Sequence, residues 1–329
     1  MSDRPLLLEV DCLSVDFRSS EGSRPAVRCV SLQVHERQTV GIVGESGSGK
    51  SATALAVLRL LPSPPALITG RAVFKGEDLF TARADRLRHV RGGEIGVVFQ
   101  DPMSSLNPAL TVGFQITEAV RTHMRIGTRA SGERAVELLD LVGIPDARRR
   151  SNNYPHQFSG GMRQRVMIAM ALSCQPSLLI ADEPTTALDV TIQAQILELL
   201  RRLQHELGMA LLLITHDFGV VAGMVDTIHV MYAGQVVETG PVEDVFRHPR
   251  HPYTEGLLRS LPTLGVDKHT ALPAIAGNPT DASHAPAGCP FQPRCPVAIE
   301  RCVTDNPPLM SWQRRQEVAC WVRADKNDA

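Results

Sequence analysis

Eight consecutive residues carry the groups needed to hold a phosphate chain. Gly44-Glu45-Ser46-Gly47-Ser48-Gly49-Lys50-Ser51 fits the spacing G-x-x-x-x-G-K-[ST]. Gly44, Gly47 and Gly49 lack a Cβ, so the loop can turn tightly and lay its N–H groups on phosphate oxygens. The strand before it reads Thr39-Val40-Gly41-Ile42-Val43. The helix after it opens on Ser51 and Ala52, where unsatisfied N–H donors and a partial positive charge favour an anion. Lys50 would reach the β- and γ-phosphates, and the Ser51 hydroxyl would ligate Mg²⁺. Together these residues point to a nucleoside triphosphate.

Two further strands end in chemistry-bearing residues. Leu178-Leu179-Ile180-Ala181-Asp182-Glu183 is an apolar run closed by two acids. It fits a fully buried parallel strand, and α/β sheets bind ligands at that end. Asp182 would hold Mg²⁺, and Glu183 would orient or deprotonate water. Leu211-Leu212-Leu213-Ile214-Thr215 predicts another such strand, ending in His216. A lone histidine is more often structural, but its place at a strand terminus suggests a γ-phosphate contact. Ser159-Gly160-Gly161 at a helix start makes a second anion site, although most such triplets are plain caps.

Elements that position these residues follow from the pattern. Residues 6–34 read as two strands around a polar turn. Phe17 there is a candidate for stacking on a base, with an ordinary core or edge aromatic as the alternative. Glu94 to Phe99 is a short strand ending in Gln100. Residues 112–141 have helical spacing, and Gly143 and Pro145 close them. The last strands, Ile228–Met231 and Gln235–Glu238, form a hairpin around Ala233-Gly234.

Composition bounds the partners. Lys plus Arg number 34 and Asp plus Glu 35, for a net charge of −1, and aromatics are 4%. Neither favours nucleic acid. Only three leucines separate Pro5 from Glu9, too few for the core of a signal peptide, and no apolar run has the length of a membrane helix. The expectation is a cytosolic chain whose membrane span, if it uses one, comes from other chains. Of seven cysteines, Cys12, Cys29 and Cys174 are scattered, while Cys289, Cys295, Cys302 and Cys320 cluster with spacing C-x₅-C-x₆-C-x₁₇-C. In a reducing compartment that cluster suggests zinc or a [4Fe–4S] cluster rather than disulfides. A Pro-, Ala- and Gly-rich linker precedes it.

The set as a whole resembles the ATP-binding cassette (ABC) family. Gly44–Ser51 looks like its Walker A motif and Gln100 like its Q-loop. Phe158-Ser159-Gly160-Gly161-Met162 looks like its signature, Leu178–Glu183 like Walker B, Ala187-Leu188-Asp189 like its D-loop, and His216 like its switch histidine. Phe158 and Met162 depart from the commoner Leu-Ser-Gly-Gly-Gln and match the oligopeptide/dipeptide importer branch. The cysteine-bearing tail, with Pro307-Pro308-Leu309, resembles that branch as well.

The resemblance implies an α/β phosphate-loop fold with a RecA-like core, an antiparallel β subdomain and a helical signature subdomain at about 105–175. It implies a nucleotide-binding domain over 1–255 and an extension over 256–329. It further implies ATP held between Lys50 and Ser51 of one cassette and Ser159, Gly160 and Gly161 of another, with Asp189 nearby. Phe17 would stack on adenine, Glu183 would activate water, and Gln100 and His216 would sense Mg²⁺ and the γ-phosphate. The four tail cysteines would hold an iron–sulfur cluster in preference to zinc.

The implied partners are a second cassette, a related chain before a copy of this one. Two permease subunits and an extracytoplasmic solute-binding protein complete the set, at the cytoplasmic face of the inner membrane. Alternatives are a nickel or other small-solute importer and a soluble cassette without a transporter.

Overall fold

The computed structural model describes residues 4–20, 22–186, 188–261, 274–280, 282–312 and 315–324. Two compact units interleave along the chain: Met1–Leu7, Val34–Gln38 and Thr81–Ile214 form one, and Leu8–Gln33, Thr39–Phe80 and Thr215–Ala329 the other.

The second unit contains an antiparallel sheet in the order Gly22–His35, Leu6–Ser19, Ala66–Phe74, Glu77–Asp78. Its apolar side chains do not alternate strictly, and a bulge explains why. Leu8 and Val10 are buried, then Leu13 and Val15, while the register against Ala66–Phe74 shifts between Asp11 and Ser14. Cys12 takes φ +42° there, so one extra residue returns the pattern to the same face. Cys29 on the neighbouring strand has φ +46°. The two are joined in a disulfide, a pairing that their scattered places in the sequence did not indicate.

In the same unit Thr39–Val43 lies parallel to Thr227–Tyr232, from Val40 opposite Thr227 to Val43 opposite Val230. The predicted hairpin then folds back through Gln235–Pro241. Ala233 and Gly234 turn it with φ +47° and +82°, the two positive values of a type I′ turn. Beyond it the tail contributes Glu317–Val318, paired with Glu238 and Thr239, and then Met310–Ser311. Glu238 is fully buried and accepts from the N–H groups of Arg250 (2.7 Å) and His251 (3.0 Å). Burial pushes its pKa up to about 7.

The first unit is built on parallel strands Ile95–Val98, Leu178–Asp182 and Ala210–Thr215. Leu178–Asp182 and Ala210–Thr215 are buried at every position, which is why they read as unbroken apolar runs. The helices Val112–His123, Thr128–Leu141, Gly160–Ala171 and Val190–Leu207 belong to this unit. The stretch expected to be helical from 112 to 141 is two helices, because Met124 turns extended (φ −110°, ψ 133°) and ends the first. Among the described residues no helix is long and apolar enough to cross a membrane.

Candidate functional site

The phosphate loop is built as its residues dictate. Thr39–Val43 is buried throughout, and the helix Lys50–Val57 begins after Gly49 at φ +98°. Lys50 is 4% exposed, and its Nζ donates to the carbonyls of Gly44 (2.9 Å) and Glu45 (3.0 Å). The loop therefore wraps its own lysine. Gly234 N–H donates to the Ser48 carbonyl at 3.0 Å, tying the loop to the hairpin turn. Ser48 Oγ is buried without a hydrogen-bond partner among the described residues. A buried hydroxyl in that condition is costly unless a ligand completes it, so the loop suits a phosphate oxygen. Phe17, opposite Ala66, is half-buried. His216 is exposed at the end of its strand, and Asp217 after it caps the next helix through Gly219 N–H at 2.8 Å.

In the other unit the acids behave differently from each other. Asp182 is buried at 6% exposure. Glu183 turns off the strand end with φ +44°, a conformation a non-glycine residue adopts at a cost. Its N–H is held by the Ile214 carbonyl at 2.8 Å. Gln100 Nε2 donates to Glu183 Oε2 at 2.9 Å, and Thr186 Oγ1 donates to the same oxygen at 2.8 Å. The structure thus brings together two residues singled out from sequence, Gln100 and Glu183. It adds Thr186, whose hydroxyl carried no motif signal of its own.

Ser159 caps the helix Gly160–Ala171, accepting from Met162 N–H at 3.4 Å. An added Cβ on Gly161 would sit 2.6 Å from Ile192 Cγ2, so the helix start packs against the residues after Asp189. Asp189 is itself a cap, accepting from Ile192 N–H at 3.0 Å. Ala187 lies outside the described residues.

The tail cysteines are neighbours. Cys289 N–H donates to the Cys302 carbonyl at 2.9 Å. Burial pushes the Cys289 thiol up to about 11, and the thiols of Cys302, Cys295 and Cys320 add to the rise. Burial also raises Cys295 and Cys320. Yet among the described residues no three His, Cys, Asp or Glu side chains are placed to hold a metal ion. The structure therefore gathers the tail cysteines without forming the expected metal site among the described residues.

Comparison with known proteins agrees with this arrangement. The ABC transporter family model matches residues 27–186, and the model for the oligopeptide/dipeptide transporter C-terminal region matches 237–302. A putative peptide import ATP-binding protein of Brucella abortus (strain 2308) is 54% identical over 301 residues, 92% of this chain and 90% of that protein. The oligopeptide transport ATP-binding protein OppD of Bacillus subtilis (strain 168) is 50% identical over 317 residues, 96% and 88% of the two chains. Among solved structures, the ATP-binding cassette MJ0796, in a dimeric post-hydrolysis state bound to ADP and Pi, superposes with a TM-score of 0.64. Identity there is 29%, covering 72% of this chain and 99% of that one. A phosphate loop of this geometry, with relatives so similar over nearly the whole chain, leads to one conclusion: the chain belongs to the ABC transporter family, as an ATPase cassette carrying the oligopeptide/dipeptide transporter C-terminal region.

Proposed function

We propose that this ATPase binds and hydrolyses ATP to drive an importer of di- and oligopeptides. The observation that carries the nucleotide half is the loop around Lys50, with the buried Ser48 hydroxyl beside it, which has no hydrogen-bond partner among the described residues. Support for the cargo is the matched C-terminal region and the names of relatives at 50% and 54% identity, an oligopeptide transport ATP-binding protein and a putative peptide import ATP-binding protein.

The chain is divided in function as nucleotide-binding domain 1–255, with a helical subdomain at about 105–175, and extension 256–329. The N–H groups of Gly44 to Ala52, with Lys50 and Ser51, take the phosphates, and Phe17 stacks on the base. Ser159, Gly160 and Gly161 of a second cassette close over the γ-phosphate, with Asp189 beside them. Glu183 accepts a proton from the attacking water. Gln100 and His216 register the γ-phosphate and the metal. Ser51, Asp182 and Gln100 are hard oxygen donors of the kind Mg²⁺ takes, and the ion when bound screens the phosphate charge.

The second cassette is a related chain, with a second copy of this one as the alternative. Two permease subunits dock near residues 100–108, where Phe99 and Met103 are exposed at 40% and 62%. A solute-binding protein delivers cargo from outside, no nucleic acid takes part, and the protein sits at the cytoplasmic face of the inner membrane. In a strain lacking this chain, uptake of a radiolabelled tripeptide is expected to disappear and to return with the wild-type gene. Intact peptide uptake with lost nickel uptake would reassign the cargo.

The finer reading of the extension is a [4Fe–4S] cluster on Cys289, Cys295, Cys302 and Cys320, with Zn²⁺ as the alternative. Its support is the spacing of the four cysteines and the backbone pairing of Cys289 with Cys302. Protein purified without oxygen is expected to carry iron and acid-labile sulfide. Absence of both iron and zinc would remove the assignment.

A further inference from the structure

Arg294 carries the extension to the nucleotide loop. Arg294 stands immediately before Cys295, 249 residues from Glu45, and its side chain is 4% exposed. Its Nη1 donates to Glu45 Oε2 at 2.7 Å and its Nη2 to Glu45 Oε1 at 3.2 Å. This is the parallel fork that makes arginine–carboxylate pairs both strong and directional. The remaining N–H groups are also engaged. Nε donates to the Ala276 carbonyl at 3.0 Å, Nη1 to Tyr232 Oη at 3.4 Å and Nη2 to the Ile275 carbonyl at 3.4 Å. The rings of Tyr232 and Phe291 lie 5.8 and 5.9 Å from the guanidinium carbon. A guanidinium held on every side has one orientation.

Glu45 is held just as fully. Its N–H donates to Tyr253 Oη at 2.9 Å, and its carbonyl accepts from Lys50 Nζ at 3.0 Å. Tyr253 is rooted in turn: it is fully buried, its N–H donates to His251 Nδ1 at 3.1 Å, and Glu238 fixes the backbone of Arg250 and His251. The loop's second residue is therefore clamped from three directions, and the phosphate-binding lysine shares the clamp.

The charge matters as much as the shape. A carboxylate in a loop built for a polyphosphate repels its ligand unless a cation neutralises it. Arg294 is the cation the structure supplies.

We propose that Arg294 is a positioning residue for nucleotide binding: it fixes and neutralises Glu45, so the extension is a working part of the phosphate loop. This rests on the reading of Gly44–Ser51 as the ATP site.

The test titrates a fluorescent ATP analogue with Mg²⁺ into the full-length protein. R294M is expected to bind about tenfold more weakly, since it strands a carboxylate beside the phosphates. In the ATPase assay the change should fall on KM for ATP more than on kcat. The double variant R294M/E45Q should regain most of the affinity, because the repelling charge is gone. A merely structural arginine would show no such rescue. Both tryptophans, Trp312 and Trp321, lie in the extension, so intrinsic emission reports whether it keeps its native packing. If R294M loses that emission, R294Q replaces it under the same rescue criterion. Wild-type affinity in the single variant, or no rescue in the double, overturns the proposal. Failure of the wild type itself to bind would instead strike the ATP-site reading.

Discussion

Replacing Glu183 with Gln should cut ATP turnover by about 10²–10⁴-fold, the range a lost general base removes, while nucleotide binding persists. The geometry makes this a clean substitution. Glu183 Oε2 accepts from both Gln100 Nε2 and Thr186 Oγ1. A glutamine can present its own Oε1 to both donors, so the side chain stays where it is and only the negative charge is lost. The turn at φ +44° depends on backbone and is untouched. The groups that grip phosphate, Lys50 and the loop N–H set, are not altered. Phosphate release from the assembled transporter, alongside a binding titration, separates the two effects. Undiminished release would remove Glu183 from the chemistry. Thr186→Val is the informative companion, since it frees one lone pair of the carboxylate without changing its charge.

The second large effect is expected at Gly49. It occupies φ +98°, and a Cβ built there would lie 2.5 Å from the Ala26 carbonyl oxygen and 3.3 Å from Gly234 Cα. Both neighbours are backbone, so neither can swing aside. Gly49→Ala adds conformational strain of about 1–3 kcal/mol and overpacking of about 1–3 kcal/mol. Relief would have to come from moving the start of the Lys50 helix. We expect stability to fall by roughly 2–5 kcal/mol, the sum of those two ranges trimmed for relaxation, and nucleotide binding to be lost. Gly47→Ala is the control. It also has positive φ, at +79°, but no described atom lies within 4 Å of its added Cβ. It should show strain alone, about 1 kcal/mol at the lower end of that range. Urea unfolding and a binding titration of both variants decide the matter. Equal behaviour of the two would mean the contact with Ala26 carries no weight.

The ease of reading this chain varied with the range of the interaction involved. The loop, the cap at Ser159 and the hairpin turn at Ala233-Gly234 each depend on a few consecutive residues, and each was found where expected. The buried strands ending at Asp182 and Thr215 announced themselves by apolar runs, because both faces are covered. The break between the helices at Met124 was missed: residues on either side keep helical spacing, and Gly127, the local breaker signal, was outweighed by it. The bulge at Cys12 was visible only as imperfect alternation. The disulfide there also needs Cys29 on the neighbouring strand, whose φ of +46° no local pattern announces. The tail cysteines were legible as a group by spacing, but spacing says nothing about burial, and burial raises the thiols of Cys289, Cys295 and Cys320.

From residue types in order alone come the phosphate loop, the acid-ended strand, the helix-capping serine and the clustered cysteines, because backbone conformation and capping are decided within a turn or two of chain. Only the folded protein decides that Gln100 meets Glu183 across 83 residues, and that Arg294 meets Glu45 across 249. Those pairings depend on which segments the packed core makes neighbours, and a side chain's charge or hydrogen-bonding capacity does not specify its distant partner.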